Sequence, residues 1–255
     1  MTPDGVDEAL ARARGFVEAS GGELARLRLA VLIGAEPAAR LPGAVGWRPE
    51  SGVAGALAAL AALDGPHGLR GGGVERAVAW LAGAQDADGG WSGAREACEP
   101  ARVVVTGLLA GFLAKTSCAR AAQLERAGEF LAAHWGPERV QSGDFGLLAG
   151  FAHFFANRPH ELADAALQWC GRELERGVRS GRLRAWQAGR MLALCDTRSL
   201  PGSRLQASEV VWSMLGEQQP DGGWLPANAD AAARVAVTVD AAGALVRLGA
   251  PTPRR

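Results

Sequence analysis

Two stretches of this chain are near copies of one another, and that duplication constrains its architecture more than any other feature. Asp88-Gly-Gly-Trp91 returns as Asp221-Gly-Gly-Trp224, 133 residues further on. A second block follows each copy, Ala101-Arg-Val-Val-Val-Thr106 and Ala233-Arg-Val-Ala-Val-Thr238, and each then reaches an Ala-Gly pair, Ala110-Gly111 and Ala242-Gly243. Isolated Ala-Gly pairs such as Ala54-Gly55, Ala149-Gly150 and Ala188-Gly189 are expected by chance with 52 alanines and 35 glycines. An ordered two-block repeat is not, and it marks a chain built from stacked helical hairpins.

The rest of the sequence agrees with helices. Apolar residues recur at helical spacing, Gly/Pro clusters punctuate them, and β-branched residues are too sparse for a sizeable sheet. The pattern predicts helices over 6–19, 24–34, 51–63, 74–84, 102–115, 119–134, 144–156, 160–176, 181–195, 205–217 and 232–248. Asp64-Gly65-Pro66 and Gly136-Pro137 read as helix stops, and Asn157-Arg-Pro159-His-Glu161 as an N-cap, an early proline and a first-turn acid. Some helices are amphipathic, such as that starting near Glu161. Others are nearly continuous apolar runs: Gly52 to Leu60, Val103 to Leu113 and Phe145 to Ala152. Helices apolar on all sides are buried on all sides. Alternating the two kinds gives an inner ring inside an outer ring, an all-α (α/α)6-type toroid in one domain spanning 1–255.

Size and charge set the function classes. The 255 residues suffice for one large core, and 27 basic against 27 acidic side chains argue against a nucleic-acid partner. No apolar run is long enough for a transmembrane segment, and the acidic start is unlike a secretion signal, which points to a cytoplasmic protein. Cys98, Cys118, Cys170 and Cys195 form no CxxC pair and read as reduced, mostly buried thiols.

The segment from Arg76 through Trp80 and Gln85 to Trp91 resembles the QW repeat of squalene–hopene cyclases and related class II terpene cyclases, and Val211 through Gln218 to Trp224 resembles a second copy. Degenerate copies lie at Glu129–Trp135 and Ser142–Gly146. The resemblance implies an α/α toroid, shared with protein prenyltransferase β-subunits, in which the repeat staples outer helices together. The motif's own physics is structural: Asp-Gly-Gly turns the chain, the Trp covers a helix end, and the Gln satisfies backbone groups. The family's acid motif, DxDD, is missing. Matching its following Thr to Thr106 or Thr238 puts Arg102, Val104 and Val105, or Arg234, Ala236 and Val237, at the acidic positions.

Two other carboxylates are candidate acids. Asp144 shares a helical face with Leu148, Phe151 and Phe155, where desolvation would keep a carboxyl protonated and the rings would stabilise a cation; the alternative, which Ser142-Gly-Asp-Phe145 favours, is that it caps its helix. Asp240 interrupts an otherwise apolar helix, and its alternative reading is an acid held by an arginine. Phe112, Phe151, Phe155 and Trp186 are candidate cavity lining. Arg102 and Arg234, near inner-helix starts with Arg182 and Arg184 placed comparably, are candidate binders of a diphosphate head. Zinc ligation would draw on Cys98-Glu99, Trp169-Cys170-Gly171 (loosely similar to an element of lanthionine cyclases) or the dispersed His67, His134, His153 and His160, none at a family spacing. No metal is expected, and Mg²⁺ only if the substrate is a diphosphate.

The resemblance implies a terpene-cyclase-like enzyme that folds an isoprenoid or other polyunsaturated apolar substrate in a central cavity and cyclises it by protonation from Asp144 or Asp240. The alternatives are a non-catalytic apolar-ligand carrier or scaffold, and a zinc-dependent thiol or prenyl-transfer enzyme. The expected partners are an apolar small molecule and, at most, a second copy in a homodimer.

Overall fold

Ala-rich apolar runs broken by glycine and proline become helices throughout. The computed structural model describes residues 3–65, 69–93, 98–227 and 233–249, and among them the regular structure is entirely helical, without strands. The α-helices are α1 Pro3–Ser20, α2 Glu23–Leu32, α3 Leu41–Val45, α4 Gly52–Leu63, α5 Gly72–Gly83, α6 Glu99–Ala114 and α7 Ala121–Ala133. They continue with α8 Pro137–Gln141, α9 Phe145–Asn157, α10 Ala163–Arg179, α11 Ala185–Leu194, α12 Ala207–Glu217 and α13 Arg234–Gly249. No described helix is long and apolar enough to cross a membrane.

The chain groups into two compact units, one of Met1–Leu41, Glu175–Leu200 and Arg204–Arg255, the other of Pro42–Leu174 and Pro201–Ser203. In the second unit, α6 packs on α4, α7 and most extensively α9. Small residues make that closeness possible, because a Cβ at Gly107 would lie 2.6 Å from the Gly150 carbonyl carbon. In the first unit, α13 packs in the same way on α11, α1 and α2. Helices α4, α5, α6, α7 and α9 thus correspond in order to α11, α12, α13, α1 and α2. The second copy of the repeat is completed by the N-terminal helices, so the repeat runs across the ends of the chain.

The apolar runs are buried as expected in two of the three cases. Nine consecutive residues of α9, Leu147 to Phe155, are buried, and α6 is buried along Leu109–Leu113. Helix α4 departs from this, with only Ala56, Ala59 and Leu60 buried among its twelve residues. Local stop signals also resolve differently. Pro137 opens the short helix α8, where its missing N–H costs no bond. Asn157 ends α9, its amide donating to the His153 carbonyl at 2.8 Å, and α10 begins six residues later. Two of the four cysteines, Cys98 and Cys118, are exposed; Cys170 and Cys195 are buried. The stop signal at Pro66 and the histidine His67 lie outside the described residues.

Candidate functional site

The two Asp-Gly-Gly-Trp turns build the same clamp twice. The Gln85 amide donates to the Gly89 carbonyl (2.8 Å) and to the Gln123 carbonyl on α7 (3.0 Å). Gln218 does the same toward Gly222 (2.9 Å) and Ala9 on α1 (2.8 Å). Trp91 and Trp224 are fully buried, and their indole N–H groups donate to the carbonyls of Leu81 (3.0 Å) and Met214 (2.9 Å) near the ends of the preceding helices. Their backbone N–H groups donate to the hydroxyls of Thr106 (2.9 Å) and Thr238 (3.1 Å). This ties the second repeat block to the first. Glycine is required at the turn: Gly89 has φ +90° and Gly222 φ +91°, and a Cβ on either would run into the carbonyl of Arg126 or Arg12.

Arg102 and Arg234 finish the clamps. Arg102 bridges Asp86 and Asp88 at 2.9 Å each and lies 5.2 Å from the Phe130 ring centroid. Arg234 holds both oxygens of Asp221, at 2.8 and 2.6 Å, and lies 4.7 Å from the Phe16 ring centroid. Hydrogen bonding to the guanidinium holds the carboxyls of Asp88 and Asp221 below the usual aspartate value, and Asp88 in turn raises Arg102. Both proposed diphosphate binders are therefore engaged by carboxylates in their own repeats. Arg184 precedes α11 as its N-cap, its backbone N–H donating to the Gln187 side chain at 2.9 Å.

The candidate acids sit in separate units. Asp144 is the exposed N-cap of α9, its Oδ1 accepting from the backbone N–H groups of Gly146 (2.7 Å) and Leu147 (3.2 Å). Asp240, on α13, lies between two arginines. Arg28 of α2 reaches Oδ1 at 2.9 Å, and Arg190 of α11 reaches Oδ2 at 3.0 Å. The carboxylate ties three helices together, as the reading of an arginine-held acid anticipates.

The expected lining is buried. Phe151 and Phe155 stack with centroids 6.4 Å apart, and both meet Trp135 edge-on at 5.0 and 6.3 Å. Phe112 meets the fully buried His153 edge-on at 4.5 Å. Trp186, in the other unit, donates its indole N–H to the Leu225 carbonyl at 3.0 Å. Among the described residues no three His, Cys, Asp or Glu side chains gather as a metal-binding set; buried Cys170 has its sulfur 3.9 Å from the Leu148 carbonyl.

Sequence reasoning passed over a groove in the second unit. The Gly/Pro-rich segment from Gly43 to Pro49 runs beside α5 and leaves a space of about 650 Å³, walled by Trp47, Arg48, Pro49, Arg76, Ala79 and Trp80, with Gly43 and Gly46 opening the backbone. The rings of Trp47 and Trp80 meet edge-on at 5.5 Å. A smaller pit of about 40 Å³ adjoins it, sharing Gly46, Trp47 and Arg76 and lined with Leu60, Leu63, Val74 and Ala77. Trp47 within this Gly/Pro-rich segment was the available signal. Compared with protein-family models, curated proteins and solved structures, the chain matches none of them.

Proposed function

We propose that this chain is a non-catalytic ligand-binding protein, a terpene-cyclase-like helical repeat closing as an (α/α)6-type toroid, that holds an apolar small molecule without converting it. The observation that carries this reading is the aromatic groove beside α5. It is an open groove with a volume of about 650 Å³, comparable to that of small-ligand sites, and its described wall contains two indole rings and no carboxylate. What favours binding over cyclisation is the engagement of the two candidate acids. Asp144 accepts two backbone N–H groups, and Asp240 accepts from two guanidinium groups. These contacts make Asp144 part of a helix cap and Asp240 the centre of an ion-pair clamp.

The test is to incubate the purified protein with farnesol and with squalene, follow binding by native mass spectrometry and look for products by gas chromatography. Ligand that is bound and recovered unchanged is the expected result. Cyclic products, lost in Asp144→Asn or Asp240→Asn, would overturn the reading and restore the cyclase. Stoichiometric zinc on elemental analysis would point instead to thiol chemistry.

A further inference from the structure

We propose that the groove beside α5 selects anionic amphiphiles, with an oxyanion head on Arg48 and Arg76 and a flat or unsaturated apolar body against Trp47 and Trp80. This rests on the ligand-binding reading and narrows it to a class of ligand. Charge complementarity is the first argument. Arg102, Arg234, Arg28, Arg190 and Arg139 hold carboxylates, whereas Arg12, Arg26, Arg70 and Arg120 lie apart from the groove. The guanidinium groups of Arg48 and Arg76 make no hydrogen bond or ion pair among the described residues, and both line one groove whose described wall has no acid. Two fork-shaped guanidinium groups suit a planar carboxylate or a phosphate, which each can grip through two N–H groups.

The indoles supply the second argument. Trp91, Trp186 and Trp224 each give their N–H to a backbone carbonyl. The Trp47 Nε1 is shielded from solvent and has no acceptor among the described residues. The T-shaped Trp47–Trp80 pair gives a π-rich surface for the body, and the adjoining pit, walled in part by Leu60, Leu63 and Val74, has room for about a methyl-sized tail end. A bare inorganic anion would leave both rings unused, and a neutral apolar molecule would leave both arginines unused.

Two fluorescent probes with the same frame separate these cases: 1-anilinonaphthalene-8-sulfonate (ANS), which carries an anionic head, and N-phenyl-1-naphthylamine, which does not. Equilibrium titrations are run on the full chain and on the Arg48→Gln/Arg76→Gln variant, at one ionic strength. The proposal predicts that ANS binds about tenfold tighter than the neutral probe. In the variant, ANS weakens about tenfold while the neutral probe stays within about twofold. Decanoate and decyl phosphate as competitors then distinguish the head: whichever displaces ANS at the lower concentration identifies it. Equal affinities for the two probes, ANS binding unchanged in the variant, or failure of both competitors would overturn the anionic selection while leaving ligand binding intact. Loss of both probes together would show that the arginines shape the groove and do not read the head, and overturns it too. If neither probe binds the wild-type chain, the ligand-binding reading itself fails.

Discussion

Replacing Thr238 by valine isolates the bond that joins the two blocks of the repeat. Thr238 is fully buried; its hydroxyl accepts from the Trp224 N–H at 3.1 Å and donates to the Arg234 carbonyl at 2.8 Å. Valine keeps the branched shape, so packing of α13 changes little. The Arg234 carbonyl is one turn back and retains its place in the helix. The Trp224 N–H, however, loses its acceptor inside the protein, and an unsatisfied buried donor costs about 1–3 kcal/mol. Thr106→Val orphans the Trp91 N–H in the same way. The two sites belong to different units and share no hydrogen-bond partner, so their effects should add to about 2–6 kcal/mol in the double variant. Against a typical total stability of about 5–15 kcal/mol, that brings the double variant near its unfolding threshold. Urea unfolding followed by tryptophan fluorescence measures this, with m unchanged and the midpoint lowered. Thr→Ser controls keep the hydroxyl and should lose less than the valines. Valine variants within about 0.3 kcal/mol of wild type, or serine variants worse than valine, would refute the hydrogen-bond reasoning.

Gly222→Ala should destabilise by about 2 kcal/mol or more, because its φ of +91° and the Arg12 carbonyl both exclude a Cβ, whereas Gly216→Ala, in α12 with nothing within 4 Å, should stabilise by about 0.5–1 kcal/mol; thermal unfolding compares the two. Removing residues 1–20 deletes the Ala9 carbonyl that Gln218 holds and the Phe16 ring beneath Arg234, so α13 should lose amide hydrogen-exchange protection before α6 does. Because Asp88 and Asp221 have lowered folded-state values, their ion pairs contribute stability above about pH 4 that is lost as pH falls through those lower values; with both side chains 50% exposed, each contributes under about 1 kcal/mol. An Arg102→Gln/Arg234→Gln variant should therefore lower the neutral limb of the melting-temperature profile and leave its most acid part nearly unchanged, so that the profile flattens.

The helical character and the clamps could be read from the chain because they rest on local chemistry. Asp-Gly-Gly sets a turn wherever it occurs, and a buried tryptophan needs an acceptor close by. The partner faces were less visible, although they too leave a trace. Leu10, Arg12, Ala13 and Phe16 on α1 recur as Leu124, Arg126, Ala127 and Phe130 on α7 at the same spacing. That trace shows only once the repeat is allowed to run past the chain ends. Asp144 illustrates the opposite difficulty. A helical wheel puts it on the aromatic face of α9, but the N-cap position lets its carboxyl fold back onto free N–H groups, and that local bond prevails over the wheel. The groove depends on where the segment Gly43 to Pro49, the end of α3 and the stretch after it, lies against α5. Periodicity carries no information about that placement.

A crystal structure of the chain with bound ANS tests the central claim most directly, because it locates the ligand without relying on affinity. The account predicts one ANS molecule with its rings against Trp47 and Trp80 and its sulfonate within hydrogen-bonding distance of Arg48 and Arg76. ANS bound only elsewhere, with the groove filled by water, would contradict it.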